Sequence, residues 1–468
     1  MTSAWKGLKS GWTWDGRSIS YSDPDRSFDY EFNYADSAPF DGFAQLSGRQ
    51  LASVRLALDL GGTGPAGRGG FAVEGFTGLG VRYAGSGSGG GDIRVANTSD
   101  PTAYAYLPGS TPEAGDVWLG GSGDRPRVGN YDHATVVHEV GHALGLKHPH
   151  EAGRFGAVGR AFDTPEYTVM SYRGWEGAAP IGARYEQWGA PQTWMMLDIA
   201  ALQELYGADF EVNADDSIYR WKPDSGRTWV DGEVGLDPGG EVIFATIWDG
   251  GGRDRYDLSA YRRDLRLDLR PGEHSVLDRD QLADLGGGPN GGHARGSVFN
   301  ALQYRGDRRS LIEDATAGAG DDRLTGNGGG NRLAGGGGDD RLAGLAGRDV
   351  LVGGRGDDVF VFASVGASPH DRCDRVKPGG GSPAFEGAGR AGGDLIDLSG
   401  IDANTTLSGN QAFVFGSGTG TGRLWLSERG DATVVCGNVD RGERPELELA
   451  ILDAGLGPGD YAAGDFSL

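Results

Sequence analysis

Apolar and polar positions alternate along this chain in short stretches, broken by three segments of sustained helical period. Ser18-Ile-Ser-Tyr21 alternates and predicts a strand. Leu51, Val54 and Leu58 recur on one face of a helix that stops at Gly61-Gly62. Glycine-rich loops follow, with short strands predicted at Gly70–Val73 and Ile93–Ala96. Thr102-Ala-Tyr-Ala-Tyr106 alternates small and aromatic residues ahead of Pro108-Gly109, the pattern of a strand ending in a turn. Asp132–Leu146 is the clearest helix of the first half, with Asp132 as its N-cap. A further helix is predicted to start at Pro191 and run over Gln192–Tyr206, apolar at Trp194, Leu197, Ile199, Leu202 and Leu205, with Gly207 in the place of a terminating glycine. Past about residue 210 the helical period fades, and short strands with Asp/Gly turns take over. The pattern predicts a mixed α/β (α+β) domain over 1–210 and an all-β domain over 211–468.

Composition sharpens this picture. Glycine occurs 87 times in 468 residues, over twice the usual share, which means either disorder or a repeat needing φ > 0 at fixed places. The formal charge of −23 argues against nucleic acid and anionic membranes as partners and suits a binder of hard cations. No apolar run is long enough to span a bilayer, so no stable membrane insertion is expected. The N-terminal residues lack the apolar core of a Sec signal peptide, leaving cytoplasmic residence or export by a signal elsewhere in the chain. Cys373 and Cys436 are the only cysteines; they either pair or remain buried thiols, and no disulfide framework organises the fold.

One segment carries dense chemistry. His138-Glu-Val-Gly-His142-Ala-Leu-Gly145-Leu-Lys-His148 fits HExxHxxGxxH at every fixed position. Histidines four apart project from one helical face and can reach one ion. Gly145 can adopt φ > 0, ending the helix so that His148 swings back as a third nitrogen ligand. Three protein ligands leave a position for water, the arrangement of a catalytic Zn²⁺, and Glu139 is placed as general base. His133 and His150 lie off the pattern and are read as solvated or neighbouring residues. Downstream, Thr168-Val-Met170-Ser-Tyr172 places a methionine turn 22 residues after His148, counted to Met170.

A second pattern fills the later half. From Ala317 to Val361 five nonapeptides follow without a gap, in the form GGxGxDxUx. The apolar place is held by Leu324, Leu333, Leu342, Leu351 and Phe360, and the acid place by Asp322, Asn331, Asp340, Asp349 and Asp358. Extending the register back one step makes Glu313 an acid position. Turn glycines, Gly318, Gly320, Gly336, Gly338, Gly347, Gly354 and Gly356 among them, are expected to bind Ca²⁺ while the apolar residues stack inside a parallel β-roll. Repelling carboxylates and many glycines should keep the segment unfolded until calcium binds. Asn331, which removes a charge, and Asn327 and Leu345, which replace glycines, predict weaker or empty sites.

Together these motifs resemble the serralysins, bacterial metzincin endopeptidases with calcium-binding repeats behind the protease. The resemblance covers most of residues 10–360, thins over 365–392 and recovers at Gly393–Ser399. It implies a metzincin catalytic domain followed by a β-roll, and makes Tyr172 a displaceable zinc ligand that helps to stabilise the oxyanion. Thr102–Tyr106 is similar to the edge strand that pairs with extended protein or peptide substrate. Trp248-Asp-Gly-Gly-Gly-Arg-Asp254 resembles WDxGGxD, implying a structural calcium at Asp249, Gly251, Gly252 and Asp254, with help from Asn213–Ser217 and Leu311–Glu313. Asp465–Leu468 resembles the ending read by type I exporters, so direct export to the exterior is implied. Barely ten residues precede Trp12-Thr-Trp14, so a propeptide is expected to be absent or very short, with lack of calcium keeping the chain latent inside the cell. A monomer is the default. The alternative is a calcium-dependent extracellular binding or surface protein with a vestigial zinc site; the intact Glu139 argues for the enzyme.

Overall fold

The structure, a computed structural model, describes residues 3–36, 38–61, 70–88, 90–390, 392–442, 444–453 and 455–468. It consists mostly of parallel β-sheet with few helices, in two compact units. The first comprises Met1–Gly252 with Arg279–Ser310, the second Arg253–Asp278 with Leu311–Leu468. Residues 211–252 and 279–310 therefore fall in the first unit. Strands Ala245–Ile247 and Val298–Asn300 pair in parallel, and Phe244, Trp248 and Phe299 join the core of the first unit. Burial of these apolar side chains overrides the change in local pattern.

The first unit has a five-stranded sheet of β1 (Ser18–Asp23), β2 (Gly80–Ser86), β3 (Ile93–Asn97), β4 (Tyr104–Ala105) and β5 (Val117–Leu119), ordered β2-β1-β3-β5-β4. All neighbours run parallel except β4, an antiparallel edge strand. Helices α1 (Gly48–Leu58), α2 (Tyr131–Ala143) and α3 (Met196–Tyr206) share one core with the sheet, Val54, Val136, Val140, Leu197 and Leu202 meeting Ile19, Ile93, Val95 and Val117.

Several sequence expectations need correction. Gly70–Val73 is not a strand; Gly70 has φ +65° and Val73–Phe76 forms one helical turn. The N-cap of α2 is Asn130, whose side chain accepts from His133 N at 2.9 Å. Asp132 sits within the first turn, where its carboxylate accepts from Arg125 N at 2.7 Å. The helix ends at Ala143, three residues short of Leu146. The later helix starts at Met196, not Pro191, because Gln192 N is spent on Phe244 O at 2.8 Å and Met195 N donates to Asp198 at 3.0 Å. The predicted stop at Gly62 lies outside the described residues.

In the second unit the repeats wind into two parallel ladders. One stacks Asp314–Thr316, Arg332–Gly337 and Val350–Arg355, the other Arg323–Thr325, Arg341–Ala343 and Val359–Val361. Successive repeats feed opposite faces, so Leu324, Leu342 and Phe360 align in one ladder and Leu333 and Leu351 in the other, all buried. Asp374–Val376 and Leu395–Asp397 extend the two ladders, and Phe466–Ser467 adds the last strand to the second. Cys436 pairs with Glu448 on one side of strand Leu447–Ile451, while Asp374, next to Cys373, pairs with Leu449 on the other. A full strand thus separates the two cysteines, about 9–10 Å, beyond disulfide reach. Both are free thiols.

Candidate functional site

Helix α2 brings His138 and His142 onto one face, one turn apart. Gly145, at φ +98°, turns the chain out of the helix; a Cβ there would lie 2.3 Å from Trp12 O, so neither backbone nor space admits another residue. The turn returns His148 to the pair. Its Nε2 lies 3.3 Å from His138 Nε2 and 3.1 Å from His142 Nε2. The edge of a tetrahedron about an ion with Zn–N distances of 2.0–2.1 Å is about 3.3–3.4 Å. Each Nδ1 is engaged on the far side: His138 with Val169 O (2.8 Å), His142 with Leu146 O (2.9 Å) and His148 with Glu151 Oε1 (2.9 Å). These acceptors require the proton on Nδ1 and leave every Nε2 lone pair facing the common point. Burial also disfavours imidazolium, pushing His142 down to about 4 and His138 well below its usual value. The donor set fits Zn²⁺.

Glu139 follows His138 and is buried; its Oε2 has no hydrogen-bond partner among the described residues. Burial alone lifts its carboxyl to about 8. Beneath the cluster, Met170 is fully buried against Gly141, where a Cβ would come within 2.6 Å of its sulfur. Tyr172 stays partly exposed, its ring 4.2 Å from that of His148 and stacked 5.6 Å from that of His138. His138, Glu139 and Tyr172 open on a cavity of about 370 Å³, also lined by Thr102, Ala103, Tyr131 and Tyr185, so β4 begins at its rim. His133 is buried, holding Ser53 Oγ at 2.8 Å, and does not reach the cluster. His150 stacks on His148 with ring centres 5.5 Å apart. Glu151 escaped the motif, its one signal being an acid three residues past the last histidine.

The acid positions of the second unit form two columns. Asp322 N donates to Asp340 Oδ1 (2.8 Å), Asp340 N to Asp358 Oδ1 (2.9 Å) and Asp358 N to Asp394 Oδ1 (2.8 Å). In the other column Asn331 N donates to Asp349 Oδ1 and Asp349 N to Asp374 Oδ1, both at 2.7 Å. The second oxygens of Asp340, Asp349, Asp358 and Asp374 are buried without hydrogen-bond partners among the described residues. Burial raises these carboxyls, to about 6 at Asp322 and Asp349, 7 at Asp358 and Asp394 and 8 at Asp340 and Asp374. Turn carbonyls line the same columns: a Cβ on Gly336 would lie 2.2 Å from Gly318 O, on Gly338 2.4 Å from Gly320 O, on Gly354 2.2 Å from Gly336 O, on Gly356 2.2 Å from Gly338 O and on Gly347 2.0 Å from Gly329 O. Buried carboxylate oxygens without donors, beside backbone carbonyls, fit a hard cation such as Ca²⁺.

Asp374 and Asp394 lie beyond the five contiguous nonapeptides; Asp374 is out of their phase, whereas Asp394 falls four nonapeptide lengths after Asp358, with an irregular segment between. Their signal is the acid two residues before an apolar one, Asp374-Arg-Val376 and Asp394-Leu-Ile396, as in Asp340-Arg-Leu342. At the first step of the second column, Asn331 Nδ2 donates to Glu313 O and Asn327 Nδ2 to Ile312 O, which occupies carbonyls with amide protons. The residues of the WDxGGxD segment fall in both units. In the first, Asp249 accepts from Tyr219 OH (2.7 Å) and Gly251 N (2.9 Å), with Gly252 at φ +115° beside it. In the second, Asp254 N donates to Glu313 Oε2 at 3.0 Å.

Residues 208–427 match the family described as Peptidase M10 serralysin C terminal. Metallopeptidase AprA of Pseudomonas marginalis is 31% identical over 448 residues, covering 88% of this chain and 83% of its own. The chain belongs to the serralysin family. Serralysin A of Dickeya chrysanthemi is 36% identical over 75% of this chain and 66% of its own, and serralysin of Proteus mirabilis 32% identical over 50% and 46%. The serralysin-family chain thus spans about half the length of several of the curated relatives it matches.

Proposed function

We propose that this chain is a secreted zinc endopeptidase with a metzincin-type catalytic domain, acting on proteins and extended peptides and folded by calcium. The observation that carries the reading is the convergence of three neutral Nε2 atoms with the unpartnered carboxylate of Glu139 beside them. Zn²⁺ held by His138, His142 and His148 would lower the pKa of water and polarise the scissile carbonyl. Glu139, one residue from a ligand and facing the cavity, accepts the proton of the attacking water and returns it to the leaving amine. Its buried carboxylate is a stronger base than one in water. Tyr172, partly exposed at the rim, donates its hydroxyl proton toward the developing oxyanion and can move without disturbing the core. Strand β4 offers an antiparallel edge on which an extended substrate adds as a strand.

In the second unit, Asp322, Asp340, Asp349 and Asp358, with Asp374 and Asp394 and the turn carbonyls, hold structural Ca²⁺. Asp254 and Glu313 of the same unit serve a further calcium, and in the first unit Asp249, with Gly251 and Gly252, offers calcium ligands of its own. Among the described residues no helix is long and apolar enough to cross a membrane. The protein leaves the cell through a type I exporter and acts as a monomer. Cleavage of a protein substrate at millimolar calcium, abolished by a zinc chelator and restored by stoichiometric zinc, tests the assignment. Activity that survives complete zinc removal overturns it.

A further inference from the structure

Lys147 precedes the third histidine and belongs to none of the motifs. Its side chain is only 7% exposed, although an ammonium is strongly hydrated and rarely leaves water without partners. Its three protons go to three backbone carbonyls: Gly7 O, Glu151 O at 2.6 Å and His148 O at 3.3 Å. Donors and acceptors match in number. Two of those carbonyls belong to the turn that carries His148 and Glu151, and the third to the N-terminal segment. The same segment meets the turn along the backbone, Lys147 N donating to Leu8 O at 2.7 Å and Ser10 N to Gly145 O at 3.0 Å. Gly153 leaves room for the lysine stem: a Cβ there would stand 2.9 Å from Lys147 Cε.

We propose that Lys147 is a positioning residue for the metal centre. Its ammonium closes the 148–151 turn around itself and ties it to residues 7–10. Through that turn it aims the His148 ring at the common point of the three Nε2 atoms and holds Glu151 on His148 Nδ1. Two of the three histidines are placed by helix α2, whereas the third is placed by a loop and needs such a tie. The inference rests on the zinc reading above, but its test needs no turnover, so a silent enzyme and a misplaced lysine are distinguishable.

The experiment is zinc affinity, by chelator competition in the calcium-loaded full chain, for the parent, Lys147→Met and Gly153→Ala. Methionine keeps the apolar stem and removes all three donors. Loss of a group that orients a ligand typically weakens metal affinity 10- to 100-fold, and about that loss is expected for Lys147→Met. Gly153→Ala, which keeps the ammonium but displaces the stem, is expected to shift affinity in the same direction and decides the matter if Lys147→Met does not fold. The visible spectrum of the cobalt-substituted protein should change in the same variants. Ile19→Ala, a core deletion on β1, should lower Tm while leaving zinc affinity and the cobalt spectrum as in the parent. Parental zinc affinity in both turn variants overturns the proposal, as does an equal loss in Ile19→Ala.

Discussion

His138 and Val169 are joined by one hydrogen bond, from Nδ1 of the ring to the backbone carbonyl 2.8 Å away. The amide of the same Val169 donates to Asp198 at 2.8 Å, and Thr168 Oγ1 donates to the other oxygen of that carboxylate at 2.5 Å. Asp198 is fully buried in the first turn of α3. One carboxylate on α3 therefore sets, through a single residue of the methionine turn, the orientation of a ring on α2.

Asp198→Ala leaves the amides of Val169 and Met195 and the Thr168 hydroxyl without their acceptor. Each unpartnered buried donor costs about 1–3 kcal/mol. Thermal unfolding should fall clearly, and zinc affinity should weaken by about tenfold. Retention of parental zinc affinity would show that the turn is held by other means.

Calcium binding should release protons. The carboxyls of Asp322, Asp340, Asp349 and Asp358 are raised by burial to between about 6 and 8, above the usual 3.8. Without calcium the folded roll then binds more protons than the unfolded chain, so its stability falls as pH rises through that window. With calcium the sign reverses, because the cation takes the place of the protons. Calcium affinity should fall between pH 8 and pH 5, and calorimetry in buffers of different ionisation enthalpy should detect the released protons.

Leu345 sits at φ +73° in the place where three of the five repeats have glycine and one has Asn327. A left-handed conformation costs a residue with a Cβ about 1–2 kcal/mol. Leu345→Gly should therefore stabilise the calcium-loaded protein by about 1 kcal/mol, seen as a higher Tm at fixed calcium. A lower Tm would mean that the leucine packs usefully enough to offset its strain.

Asp374→Ala and Asp394→Ala each remove the last carboxylate of one column. Both variants should bind fewer calcium ions and need more calcium to fold, in a titration followed by far-UV circular dichroism. An unchanged stoichiometry would restrict the sites to the nonapeptide repeats.

What could be read in the sequence follows from how local its cause is. His138 and His142 are set by helical period, and the stacking of Leu324 to Phe360 by nine-residue phase, so both were legible. Asp374 and Asp394 hold the same roles beyond an irregular segment that breaks the run of repeats; Asp374 is shifted out of phase, and Asp394 returns to it four repeat lengths after Asp358 with no repeats between to mark the register. The return of residues 279–310 to the first unit depends on which distant strand accepts a short apolar one, as Val298–Asn300 does with Ala245–Ile247. Short strands carry no mark of their partner. Asp198 and Lys147 act through backbone amides and carbonyls, which leave no pattern in side-chain identity, and Glu151 meets the His148 ring from outside the fixed positions of the motif.

The central claim is water activation by Glu139 at a zinc held by three histidines. It is tested most directly by cleavage of a quenched casein substrate at millimolar calcium, comparing the parent with Glu139→Ala and measuring bound zinc in both. The account predicts that the parent cleaves and that the variant loses at least about 100-fold in rate while keeping its zinc. A variant as active as the parent, or a parent that is silent with zinc and calcium both bound, would contradict it.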